Sequence, residues 1–130
     1  MLKTGILNPS ILDLLARVRH TNMLVIADRG FPFWPMIEMV DLSLVDDVPT
    51  VLQVLDAVRA QCVFGQAFMA EEFLKSNAPA TIDAFAKALD GIPLTHEPHE
   101  AAFKKRVPGA IGLIRTGDTT QFANVILVSA

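Results

Sequence analysis

MLVIAD (23–28) runs straight into RGFPFWP (29–35), and this junction decides the fold. The first six residues form a short apolar run, with Val25 and Ile26 at its centre, that stops at an acid. A run this short and this rich in β-branched residues predicts a buried strand rather than a helix. The next seven residues hold two prolines and a glycine, which cannot continue regular structure and mark a loop leaving the strand's C-terminal end.

Working outward from that strand, the chain alternates helical and strand patterns. Upstream, Asn8-Pro9 is a helix start, because Asn caps and Pro suits the first helical position. Ile11, Leu12, Leu14, Leu15 and Val18 follow at helical spacing, and the helix is expected to end near Arg19 or His20. Downstream, 40–49 reads as loop or weak strand and 48–61 as a short strand turning into a helix. Residues 63–73 read as a strand with an acidic end or as a helix, with a strand over about 63–70 favoured. Pro79 to Leu89 reads as a helix stopped by Asp90-Gly91. A short strand over 92–98, a short helix over 99–107 and two apolar strands at 110–117 and 124–130 complete the chain. This alternation predicts a single α/β domain over 1–130, with a largely parallel sheet covered by helices on both faces. In such sheets ligands lie in the crevice outside the carboxyl ends of the strands. That rule points to Asp28 with the loop after it, and to the segment after Arg115.

Bulk properties narrow the function. The 130 residues are 52% hydrophobic and 19% charged, so the chain leans apolar. Either strands are buried on both faces or sister subunits cover an apolar surface. The net charge is −3 with no basic stripe, which argues against nucleic acid. The single Cys62 reads as a buried small hydrophobe and suits a reducing compartment. Gly5, Asn8, Pro9 and Asp13 interrupt the opening twenty residues, leaving no run of signal-peptide type. No stretch reaches the ~18 to 20 apolar residues of a membrane span. The expected location is the cytoplasm.

His20 is placed at the predicted end of the first helix, where helix carbonyls favour a cation, and a few residues before Asp28. A His beside an Asp is a common acid–base unit, although a capping histidine and a loop-starting aspartate fit the same spacing. Phe31, Phe33 and Trp34 have the shape to stack on a sugar ring or to pack an interface. His96 and His99, with Glu97 and Glu100, match no zinc signature, and no metal is expected. Asp118, Thr119, Thr120, Gln121 and Asn124 offer donors and acceptors for hydroxyl groups. Nucleotide-binding glycine loops and serine- or cysteine-nucleophile motifs are absent.

Taken together, these segments resemble the D-ribose pyranase and L-fucose mutarotase family along nearly the whole chain. GILNPSI (5–11) opens the resemblance. RHTNMLVIADRGFP (19–32) carries the family's H-T-D-x-x-x-x-x-D-x-G-x-P as His20, Thr21, Asn22, Asp28, Gly30 and Pro32. DLSL (41–44) follows at the family's spacing. PHEAAFK (98–104) is similar to H-E-x-F-K with one residue more, and IRTGDTTQFAN (114–124) to I-R-T-G-E-x-x-x-Y-A-N. Asn22 stands where the family carries Asp, and Phe122 where it carries Tyr.

The resemblance implies mutarotation, or interconversion of pyranose and furanose forms, of a free monosaccharide, without cofactor or metal. It implies His20 and Asp28 as the acid–base pair and His99 as a sugar-contacting or proton-handling residue, with His96 its competitor. Arg29, Arg115, Phe122 and Asn124 are the expected substrate-binding residues. It also implies a homo-oligomeric ring, an octamer or decamer, with sites at subunit interfaces. Because Phe122 has no hydroxyl, the alternative is a non-catalytic monosaccharide-binding protein of the same fold.

Overall fold

The computed structural model describes residues 1–130. The elements, in chain order, are α1 (Pro9–Arg17), β1 (Met23–Ala27), β2 (Glu38–Asp41), α2 (Val51–Arg59), β3 (Phe64–Ala70), α3 (Glu71–Ser76), α4 (Pro79–Ala88), β4 (Leu94–Glu97), α5 (Lys104–Arg106), β5 (Gly112–Arg115) and β6 (Val125–Ser129). A π-helical turn, His99–Phe103, precedes α5, and a 3₁₀ turn, Val107–Gly109, follows it.

The six strands form one sheet in the order β2-β5-β1-β6-β3-β4. β1 and β2 pair parallel with β5, and β3 pairs parallel with β4. β6 runs antiparallel between β1 and β3, so the sheet is mixed and mostly parallel. The β5–β6 connection explains that direction. Residues 116–124 are too few for the crossover of about a dozen residues that parallel strands need. The chain therefore turns back at the same sheet edge, passing over the carboxyl end of β1.

β1 is the central strand. Leu24 and Ile26 point into a core built with α1, α2, α3 and α4, while Val25 and Ala27 point into a smaller core on the other face. Burial on both sides is why its sequence is continuously apolar. The second face is covered by Phe31, the π turn and the 3₁₀ turn, through Phe103, Val107 and Ala110. Helices thus cover the two faces unequally.

Asn8 caps α1 as expected, its Oδ1 accepting the Ile11 N–H at 3.0 Å. The helix ends earlier than its apolar spacing suggests, at Arg17. Arg19, not His20, meets its last carbonyls, donating to the oxygens of Ala16 and Val18 at 2.7 and 2.9 Å. No strand leads directly into α2 from Val48. Thr50 caps that helix in a capping box with Gln53, which sets its start at Val51. Cys62 is half-buried rather than buried.

Candidate active site

All five parallel strands end at one edge of the sheet, and β6 begins there. Asp28 directly follows β1, and Asn124 directly precedes β6. The Asp28 N–H donates to Asn124 Oδ1 at 2.8 Å, and Asn124 Nδ2 donates to Asp28 Oδ2 at 3.1 Å. The other carboxylate oxygen accepts the Gly30 N–H at 3.0 Å. This reciprocal pair fixes the orientation of the acid without neutralising it. Burial pushes the Asp28 carboxyl above its ordinary value, against the opposing pull of the Gly30, Asn124 and Phe31 donors; Asp118 adds a small upward push.

A cavity of about 450 Å³ opens beside this pair. Asp28, Gly30, Phe31, Pro32, Gln121 and Phe122 are among its walls, with His99, Lys104 and Asn124 completing them. His99 is buried, with its ring stacked on Phe103 at 5.6 Å and edge-on to Phe122 at 5.1 Å. Its Nδ1 is buried without a hydrogen-bond partner. Burial pushes the imidazole pKa down, and Lys104 pushes it the same way; Glu100, Glu72 and Asp28 oppose them. The side chain is therefore a neutral imidazole at neutral pH, able to exchange a hydrogen bond with a ligand. Phe122 holds φ +55°. A bulky residue in the left-handed region is a strained placement of the kind found at functional sites.

The structure brings Asp28, His99, Phe122 and Asn124 to one cavity and leaves out the other expected site residues. His20 is exposed in the turn before β1, at the opposite sheet edge from Asp28. The five residues of β1 lie between them, about 16 Å of extended chain. The two cannot form a pair within one chain, because a strand holds its ends apart. Arg29 is exposed and paired with Asp46 at 2.6 Å. Arg115 bonds the Phe31 carbonyl at 2.9 Å and reaches Asp41 at 3.4 Å, outside the cavity wall. His96 lies on edge strand β4, away from the cavity. Asp118 is buried and structural, accepting the Val51 N–H at 2.8 Å, and Thr119 is bound to Asp47.

Lys104 was not legible beforehand. On an α-helix His99 and Lys104 would lie about 140° apart around the axis. The π turn, with its i→i+5 bonding, brings both to one side. The HEAAFK segment thus keeps Lys104 on the side of His99. A groove of about 550 Å³ between α2 and α4 offers no comparable chemistry. Its Arg59 is spent on the carbonyls of Ala88 and Asp90.

Comparison with known proteins adds to this geometry. A sequence model of the RbsD / FucU transport protein family matches residues 1–130. A D-ribose pyranase of Laribacter hongkongensis is 41% identical over 129 residues, covering 99% of this chain and 97% of that protein. A D-ribose pyranase of Geobacillus kaustophilus is 40% identical over 129 residues, covering 99% and 93%. The solved structure of Bacillus subtilis RbsD complexed with D-ribose superposes with a TM-score of 0.92 at 30% identity, covering 100% of this chain and 98% of that one. The fucose mutarotase of Streptococcus pneumoniae, solved with L-fucose, shares the fold, with a TM-score of 0.83 at 19% identity, covering 99% and 98%.

Proposed function

The chain belongs to the RbsD / FucU transport protein family, and from that premise we propose that it is a pyranase or mutarotase acting on a free monosaccharide, D-ribose first among the candidates. The observation that carries this reading is the Asp28–Asn124 pair facing a buried, neutral His99 across one cavity. Relatives near 40% identity named D-ribose pyranase support the choice of sugar.

Opening a cyclic hemiacetal needs a base for the anomeric hydroxyl proton and an acid for the ring oxygen. Closing reverses both transfers, so protons balance and no electron carrier enters. Asp28 is suited to the base: partial burial raises its basicity, and the Asn124 and Gly30 donors aim it. His99 lines the cavity, and its imidazole is suited to hold a sugar hydroxyl. Phe122 and Phe31 present apolar walls to the ring. The acid is His20 of the partner subunit. An exposed histidine at the far end of β1 reaches an Asp28 cavity only when that cavity belongs to another copy, and the family resemblance points to sites at subunit interfaces. A cytoplasmic homo-oligomer is the matching assembly. No helix is long and apolar enough to cross a membrane.

Exchange NMR on D-ribose, read above the protein-free rate, tests the activity. Its absence for D-ribose and for other aldoses would leave a binding protein or the bare fold. The pH profile of that rate is expected to show its acid limb above 3.8. Asp28 must be ionised and titrates above its ordinary 3.8, while His99 must stay neutral and titrates below its ordinary 6.5. An acid limb centred at or below 3.8 would remove Asp28 as the base.

Co-expression tests the shared site. His20→Ala and Asp28→Asn are each expected to be inactive alone. Mixed oligomers regain a fraction of the wild-type rate, because some interfaces then join an intact His20 to an intact Asp28. No recovery in mixed oligomers of proven composition would overturn His20 as the acid of a shared site.

A further inference from the structure

We propose that the short helix α3 is a bracket that sets the gap between the two walls of the cavity, with Glu72 and Asn77 as positioning residues for His99 and Phe122. The inference rests on the sugar-isomerase reading of that cavity, and neither residue lines it.

At the start of α3, both carboxylate oxygens of Glu72 accept the His99 N–H at 3.1 Å. This bond ties the end of β4 to the end of β3 and orients the first residue of the π turn. Just past the other end of α3, Asn77 Nδ2 donates to the Phe73 carbonyl and to the Gln121 carbonyl, each at 2.9 Å. Gln121 directly precedes Phe122, whose φ of +55° needs a restraint from its surroundings. The helix between the two clamps is itself anchored: Phe73 is buried and packs on Phe85 at 4.9 Å. One rigid element of six residues therefore holds both aromatic walls, whose rings meet edge-on at 5.1 Å. Four charged groups face the His99 imidazole, namely Lys104, Glu100, Glu72 and Asp28. Of these, the Glu72 carboxylate is the one charged group that accepts its backbone N–H.

The test uses Glu72→Ala, Glu72→Gln and Asn77→Ala in the full-length protein, with three readouts. Without sugar, the NOE between the His99 and Phe122 ring protons is expected to weaken in Glu72→Ala and Asn77→Ala. With D-ribose, kcat for ring exchange is expected to fall by about 10²-fold in each, the cost of a displacement of about 1 Å at a site of this kind. Glu72→Gln, which keeps an amide oxygen to accept the N–H, is expected to recover most of that rate. It also moves the His99 titration midpoint down, because a carboxylate that favours the imidazolium is gone. Asn77→Ala leaves that midpoint in place. Folded Glu72→Ala and Asn77→Ala variants that keep the NOE and the wild-type kcat would overturn the bracket. If Glu72→Ala does not fold, Asn77→Ala decides the matter by the same readouts. Failure of the wild type to exchange any sugar would sink the isomerase reading instead, while the sugar-free NOE still reports on the bracket.

Discussion

Asp28→Asn is expected to slow ring exchange by about 10²–10⁴-fold, the usual contribution of one positioned acid or base, while the chain stays folded. The carboxylate accepts the Gly30 N–H on one oxygen and the Asn124 amide on the other. An amide has one acceptor oxygen, so the variant can satisfy only one of these donors and sets its own NH₂ against the other. The lost hydrogen bond costs about 1 kcal/mol. Removing a charge that burial disfavours offsets part of it, so the melting temperature should hardly move. Binding should survive, because Asn124, His99 and the aromatic walls remain. A D-ribose-dependent rise in melting temperature is then expected without exchange. Wild-type exchange rates in Asp28→Asn would remove Asp28 from the chemistry. Loss of both exchange and sugar-induced stabilisation would make it a binding residue.

Gly117→Ala is expected to destabilise the fold by about 3 kcal/mol, from overpacking and broken hydrogen bonds together. A Cβ at Gly117 would overlap the Val45 carbonyl oxygen and lie 2.9 Å from that of Val48. Both obstacles are backbone, so no side chain can swing aside. The turn carrying them is stitched to this position. The Gly117 N–H donates to the Pro49 carbonyl at 2.9 Å, and the Gly117 carbonyl accepts the Asp47 N–H at 2.6 Å. Pushing the turn away breaks these bonds and disturbs Asp118, which accepts the first N–H of α2. Thermal denaturation should show a drop of about 10 °C or more for a domain of this size. A change of a degree or two would mean that the 45–49 turn relaxes freely.

The central strand, the α1 cap and the α4 limits were legible in the sequence because their causes are local. β1 is buried on both faces and so is apolar throughout, Asn8-Pro9 caps with its own side chain, and Asp90-Gly91 stops α4. The family resemblance rests on the same stretches, and it pointed to Asp28, His99 and Asn124. The start of α2 was misread because Val48 lent a strand-like look to a segment whose conformation Pro49 and the Thr50 cap control. Arg29 and Arg115, expected substrate-binding residues, lie just beyond β1 and at the end of β5. Their guanidiniums are engaged by Asp46 and by the Phe31 carbonyl, partners brought close only by folding.

By itself the sequence determined an α/β domain, a strand ending at Asp28, and a polar segment before the last strand. Tertiary structure alone decided which of those polar groups meet. The antiparallel β6 lays residues 116–124 across the end of β1 and delivers Asn124 to Asp28. The π turn, whose period differs from that of an α-helix, turns Lys104 to the side of His99. The length of β1 keeps His20 from Asp28 of its own chain. Contacts between residues far apart in sequence depend on strand order and direction, and local patterns of hydrophobicity do not encode either.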